Sequence, residues 1–170
     1  MSEIKNDETR KPVTNKLGSR FWGYRSRQEL AKENLTDGLT GLLNKKGWDF
    51  KTEEYLKIAD RTKAEYVFSI VDLDGLKKVN DTLGHKEGDR LIVKAAQVLR
   101  ETVRSTDILA RIGGDEFAVL LTRTSLKGAE NFKSRLLEKT GDLKLSVGIG
   151  NDFNAADAAM YQMKRETKNE

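Results

Sequence analysis

Apolar residues along the chain fall at helical spacing in some stretches and in short runs or strict alternation in others, and the switches between the two mark its elements. Trp48, Tyr55, Leu56 and Ala59 lie on one helical face, predicting a helix from Lys45 to about Ala59 that Asn44 can cap. Tyr66 to Val71 is a nearly unbroken β-branched and aromatic run, which reads as a central strand covered on both faces. From Asp89, Leu91, Ile92, Ala95, Ala96, Leu99 and Val103 form one stripe of a second helix. Two apolar runs, Ile108 to Ile112 and Phe117 to Leu121, flank Gly113-Gly114-Asp115-Glu116 and predict a β-hairpin whose turn uses glycine for positive φ. A helix from Ser125 to about Lys139 follows, through Leu126, Ala129, Phe132, Leu136 and Leu137. Leu143, Leu145, Val147 and Ile149 then alternate with polar or small residues, as in a strand with one buried face. The last helix runs from Ala155 to about Lys164. The polar, glycine-punctuated stretch from Leu76 to Asp89 receives no element. The order α-β-α-β-β-α-β-α predicts an α/β fold, a mixed and centrally antiparallel sheet flanked by helices.

Residues 1–34 are set apart as a basic lead-in before a domain at 35–170. They carry an aromatic knot at Phe21, Trp22 and Tyr24 and the only proline, Pro12. Ser26-Arg27-Gln28-Glu29 has capping-box spacing, so a short helix is expected from there to about Asn34. With 37% apolar and 34% charged residues, the composition is that of a well-solvated globular protein. No apolar run is long enough to span a bilayer, and Met1 to Lys5 open no secretory leader, so a cytoplasmic setting without a membrane segment is expected. The absence of cysteine excludes disulfides and thiolate metal sites. The net charge of +4 suits anionic ligands such as nucleotides but is too small to argue for duplex nucleic acid.

The candidate chemistry lies in carboxylates. Asp72 and Asp74 end the buried strand, and Asp115 and Glu116 occupy the hairpin turn. If that strand lies beside the hairpin, up to four carboxylates converge, raising one another's pKa unless a cation relieves them. All-oxygen ligands favour magnesium or manganese over zinc, and two such ions held by Asp and Glu on a sheet suit nucleotidyl transfer. Lys77, Lys164, Arg165 and Lys168 offer positive charge for phosphates, while Asn80 and Asp89 can read a purine, since a carboxylate accepts two N–H bonds from a guanine edge. There is no P-loop, and Gly148-Ile149-Gly150 lacks the third glycine of a dinucleotide fingerprint. Each feature alone has a plainer reading: Asp-x-Asp as a turn, Gly-Gly-Asp-Glu as a connector, His85 as a surface histidine, the late lysines as partners of a helix dipole. Their joint occurrence, in a workable order, points to a site.

The motifs Asp37-x-Leu39-Thr40-x-Leu42-x-Asn44, Asp72-Leu73-Asp74-x-Leu76-Lys77-x-Val79-Asn80-Asp81, Gly84-His85-x-x-Gly88-Asp89, Arg111-x-Gly113-Gly114-Asp115-Glu116-Phe117, Ser146-Val147-Gly148-Ile149-Gly150 and Ala156-Asp157-x-Ala159-Met160-Tyr161-x-x-Lys164 follow one another. In this set, over about Leu35 to Asn169, the sequence resembles the GGDEF-domain diguanylate cyclases. The resemblance implies a nucleotidyl-cyclase or polymerase-palm-like fold that condenses two GTP into cyclic di-GMP with release of pyrophosphate, each half of a homodimer holding one GTP. It implies two magnesium (or manganese) ions per half-site on Asp72, the Leu73 carbonyl, Asp115 and Glu116. Asp115 would help deprotonate the 3′-hydroxyl, Glu116 would support metal or phosphate, and Lys77 would stabilise transition-state charge. Asn80 and Asp89 would hold the guanine, with His85 nearby, Leu76 would be a further substrate-binding residue, and Gly113, Gly114, Lys164 and Lys168 would meet the phosphates. Arg104-Ser105-Thr106-Asp107 matches the family's inhibitory product site. The sequence departs at Leu76, where Phe is frequent, at Thr167-Lys168 in place of Gly-Arg, and in a shorter interval from Phe117 to Ser146. The alternative reading is a module that binds GTP or cyclic di-GMP as a regulatory receptor without useful turnover. A third, a palm-like enzyme on nucleic acid, is opposed by the modest charge and the absence of finger or thumb regions.

Overall fold

The computed structural model describes residues 35–168 and the short strands at 13–14 and 20–21. The backbone separates into two units, Met1–Asn34 and Leu35–Glu170. In the first, β1 (Val13–Thr14) pairs antiparallel with β2 (Arg20–Phe21). Trp22, Tyr24 and the helix expected after Ser26 lie outside the described residues.

The second unit begins with an Asp37–Leu43 turn. Asn44 then caps α1 (Lys45–Thr62), its side-chain oxygen accepting the Gly47 N–H at 2.9 Å. β3 (Tyr66–Leu73), α2 (Leu76–Leu83), α3 (His85–Thr102), β4 (Ile108–Arg111) and β5 (Glu116–Thr122) follow. The chain ends with α4 (Leu126–Lys139), β6 (Leu145–Gly150) and α5 (Phe153–Lys168). The strands form a four-stranded sheet in the order β4-β5-β3-β6, antiparallel in every ladder, and a parallel bridge joins Leu43 to Ala110. No helix among the described residues is long and apolar enough to cross a membrane.

Side chains alternate across the sheet, so each central strand feeds two cores. Val67, Val71, Leu73, Phe117 and Val119 meet Ile92, Leu99, Phe132 and Leu136 of α3 and α4. Phe68, Ile70, Ala118 and Leu120 meet Trp48 of α1 and Ala156 and Met160 of α5. This explains the unbroken apolar run of β3, which is buried throughout except at Tyr66.

The stretch from Leu76 to Asp89 is helical where no element was expected, and α3 begins at His85 rather than Asp89. α2 buries only Leu76, so it has no apolar stripe to read. The glycines that punctuate the sequence instead delimit it, Gly75 at φ 79° and Gly84 at φ 85°. β6 is also buried on both faces, not one. Its small residues Ser146 and Gly148 lie beneath α5, which comes so close that a Cβ on Gly148 would sit 2.0 Å from the Ala156 carbonyl oxygen. Leu126 stands 48% exposed in the first turn of α4 rather than on its buried stripe.

Ser69, at the middle of β3, is fully buried, and its hydroxyl has no hydrogen-bond partner among the described residues. A buried unmatched hydroxyl costs free energy that alanine avoids. Ser69→Ala is expected to stabilise the domain by about 1 kcal/mol, read from the midpoint and slope of urea unfolding. Destabilisation by a similar amount would contradict this account of the hydroxyl.

Candidate active site

The ladder between β3 and β5 brings the two carboxylate pairs together at the C-terminal end of β3. Asp72 stands opposite Glu116, and the Leu73 N–H donates to the Asp115 carbonyl at 2.9 Å. Directly opposed side chains share a face, so Asp72 and Glu116 point to the same side. The hairpin closes when the Glu116 carbonyl accepts the Ile112 N–H at 2.9 Å and the Gly113 N–H at 3.3 Å.

The expected reason for the turn glycines does not hold, because neither Gly113 nor Gly114 has positive φ. Gly113 is needed for space: a Cβ there would lie 2.6 Å from Glu116 Oε2. At Gly114 a Cβ would meet nothing within 4 Å, so its backbone faces open room.

Arg111, a motif residue with no role in the sequence reading, fixes the turn from below. Its Nε and Nη2 donate to the Gly114 carbonyl at 3.2 and 2.7 Å, and its Nη1 reaches both Asp37 oxygens at 3.3 and 3.2 Å. Asp37 also accepts the Thr40 N–H at 2.9 Å and hydroxyl at 2.7 Å. Burial pushes the Asp37 carboxyl up, but these hydrogen bonds and the Arg111 charge outweigh it and leave the group below its ordinary value. A carboxyl depressed on folding adds stability that is present above its unfolded pKa and lost as pH falls through the folded value. Wild type should therefore lose more stability than Asp37→Asn between pH 5 and pH 3, and parallel unfolding curves would refute this.

Lys164, on α5, donates to Asp72 Oδ1 at 2.5 Å. The packing of α5 on Gly148 and Gly150 sets its position, since a Cβ on either glycine would strike the α5 backbone within 2.3 Å. Burial works against the ammonium, but the Asp72 hydrogen bond and the charges of Asp72, Asp115 and Asp74 hold it above the ordinary lysine value. The contact does not discharge the site. Burial, with Asp115 and Asp74, keeps Asp72 above the usual carboxylate range despite Lys164. Burial and the charges of Asp115, Asp72 and Asp157 likewise raise Glu116. Asp74 accepts the Ser146 hydroxyl at 2.8 Å.

This surplus of negative charge, on oxygen ligands alone, suits a hard divalent cation. Among the described residues no three His, Asp or Glu side chains are already assembled as a metal cage. The carboxylates fit such an ion in chemistry, with Lys164 lying on one of them.

Beside the carboxylates opens a cleft of about 1020 Å³ whose wall includes Leu73, Leu76, Lys77, Asp115, Lys144 and Lys164. Asn80 and Asp89 lie on α2 and α3 and are not part of this wall. Asn80 packs on Gly88, the residue before Asp89, where the absent side chain lets the helices close: a Cβ there would fall 1.9 Å from Asn80 Oδ1. His85 is exposed at the first position of α3. The side chain of Lys168 lies outside the described residues.

Residues 34–154 match the GGDEF family, described as "Diguanylate cyclase, GGDEF domain". The chain belongs to the GGDEF family. It is 37% identical over 155 residues to the diguanylate cyclase DosC of Escherichia coli, covering 78% of this chain and 34% of that protein. It is 31% identical over 158 residues to the diguanylate cyclase DgcP of Pseudomonas aeruginosa, covering 81% and 24%. The chain thus spans about a third or less of the length of these curated relatives. Among solved structures it resembles the diguanylate cyclase SiaD of Pseudomonas aeruginosa, crystallised with its activator SiaC, at a TM-score of 0.73 and 31% identity over 82% of this chain and 62% of that one. The coiled coil and GGDEF domain of DgcB from Caulobacter crescentus, in complex with c-di-GMP, matches at a TM-score of 0.75 and 25% identity over 82% and 85%.

In this GGDEF domain Arg104 and Asp107 line a separate hollow of about 640 Å³ with Lys51 and Arg100. Asp107 is engaged in the fold, Oδ2 accepting the Arg104 N–H at 2.9 Å and Oδ1 the Thr122 N–H at 3.0 Å. Arg104 is exposed. The sequence reading passed over Asp37, Arg111 and Ser146 as site-building residues, and Asp157 as a charge beside Glu116. Their inclusion in the motif set was the only signal.

Proposed function

We propose that residues 35–170 act as a diguanylate cyclase domain, with residues 1–34 as a lead-in. Two copies would face each other in a homodimer, each presenting one GTP, and form cyclic di-GMP with release of two pyrophosphates. The observation that carries this reading is the register of Asp72 against Glu116, which sets a buried and a half-buried carboxylate, mutually repelling, beside a lysine-lined cleft.

In each half-reaction the 3′-oxygen of one GTP attacks the α-phosphorus of the other. A P–O ester bond forms and the bond to the β-phosphate oxygen breaks. Asp115 accepts the hydroxyl proton, and Glu116 supports metal or phosphate. Lys77 and Lys164 take up the charge that develops on the phosphoryl oxygens. Asn80, Asp89 and His85 hold the guanine edge, and Leu76 gives an apolar contact. The open backbone at Gly114 lets phosphate approach the Gly113-Gly114 turn closely, and Lys168 adds a further phosphate contact. Asp72, the Leu73 carbonyl, Asp115 and Glu116 would hold magnesium or manganese, two ions per half-site, which when bound activate the hydroxyl and neutralise the leaving oxygens. Lys164 leaves Asp72 for the phosphates in this scheme. The setting is cytoplasmic, where GTP and magnesium are supplied.

Incubation with GTP and magnesium, followed by chromatography, tests the reading: cyclic di-GMP is expected, and its complete absence would refute it. The closed Lys164–Asp72 pair favours a second reading, a module that binds GTP or cyclic di-GMP without turnover. Calorimetric binding in the absence of product would support that instead.

The Arg104 hollow is assigned to inhibitory product. Arg104→Ala should raise the concentration of cyclic di-GMP giving half-inhibition by about tenfold or more, the equivalent of one charge-assisted hydrogen bond. Because Asp107 holds two backbone amides, Arg104 is the cleaner probe. An unchanged inhibition curve would remove the assignment.

A further inference from the structure

The cleft beside the carboxylates contains four lysines, Lys77, Lys78, Lys144 and Lys164. Of these only Lys164 has an ion-pair partner among the described residues, and that partner is Asp72. Lys77 and Lys78 project from the short and largely exposed α2. Lys144 is held differently. It directly precedes β6, and its carbonyl accepts the Asp74 N–H at 2.9 Å. This continues the Leu73↔Leu145 register by one pair and sets Lys144 opposite Asp74. By strand alternation it lies on the face that carries Asp72 and Ser146. An exposed lysine is thus held by its backbone at the end of the sheet, on the same face as the Asp72 carboxylate, and lines the cleft together with Lys77.

The cleft wall also carries Asp74, Asp81 and Asp115. Cations and carboxylates interleaved in this way suit a polyanion that arrives with a metal ion, because each set of charges finds its complement. Lys164 is already paired with Asp72, so the positive charge left for such a ligand lies on the other three lysines of the cleft.

We propose that Lys144 binds the terminal phosphates of the nucleoside triphosphate, the portion that leaves as pyrophosphate, from the β6 side of the cleft. This rests on the reading of the site as a GTP site and adds a phosphate ligand to it.

Calorimetry on the full chain with magnesium can isolate the role, using pyrophosphate, GMP and 3′-deoxy-GTP, which lacks the attacking hydroxyl. Lys144→Ala should weaken pyrophosphate and 3′-deoxy-GTP about tenfold, as expected for one charge-assisted contact, and GMP less than about twofold. Lys144→Arg should retain most of the affinity, and Lys127→Ala on α4 should match wild type, which controls for net charge. Unchanged pyrophosphate and triphosphate affinities in Lys144→Ala would overturn the proposal, as would an equal loss for GMP. If wild type binds pyrophosphate but not 3′-deoxy-GTP, and Lys144→Ala loses it, the phosphate role stands and the GTP reading falls. If wild type binds neither, both fall.

Discussion

Asp115→Ala is expected to lower cyclic di-GMP formation by about 100- to 1000-fold, the scale seen when a single group aimed at developing charge is removed. The midpoint of thermal unfolding should move by no more than about 2 °C, less than 1 kcal/mol for a domain of this size. The asymmetry follows from where the residue sits. Its carbonyl bonds the Leu73 N–H, a contact that alanine keeps, while its side chain stands on a turn and borders the cleft. Asp72 makes a poorer first target, since its removal strands Lys164 without a partner and mixes loss of fold with loss of chemistry. Product chromatography and a melting curve on the same preparation separate the two effects. A variant that melts normally and turns over normally would remove Asp115 from the chemistry.

Gly148→Val carries the largest expected structural effect. A Cβ at this position would lie 2.0 Å from the Ala156 oxygen and 2.1 Å from the Met160 nitrogen, both backbone atoms of α5 that cannot swing aside. The helix must lift from β6, and the buried contacts of Ala156 and Met160 go with it. The cost is about 3 kcal/mol or more, or a fall of roughly 10 °C in melting temperature. Activity should fall further than stability alone requires, because the same displacement carries Lys164 away from Asp72. A melting temperature unchanged from wild type would contradict the packing described for α5.

Most of the architecture was legible where burial leaves a periodic trace. The continuous run of β3, the stripe on α3 and the paired runs of β4 and β5 all report apolar faces directly. α2 was missed for the converse reason: with one buried residue it leaves no trace, and its bounding glycines look like those of a loop. Gly148 and Gly150 were read against a dinucleotide fingerprint and as part of the Ser146–Gly150 motif, whereas their work is to admit a helix backbone, which local sequence does not state.

At the site, the residue types were legible and their arrangement was not. Asp72 and Glu116 meet only because β3 pairs with β5, a long-range fact carried by the ladder. Gly113 looked like a positive-φ glycine and proved to be one that makes room for Glu116. The bond between Arg111 and Asp37 links positions 74 residues apart, beyond the reach of spacing rules. Lys144 passed as one polar position in an alternating strand until the Asp74 hydrogen bond put it at the cleft wall.

The central claim is that two copies, each holding one GTP, make one product. Its most direct test is the rate of cyclic di-GMP formation from saturating GTP and magnesium, measured over a wide series of protein concentrations. The account predicts specific activity that rises with protein concentration and levels off once facing pairs are fully populated. Product formation at constant specific activity down to the lowest concentration, in a chain shown to be monomeric throughout, would contradict it. So would the absence of product at every concentration.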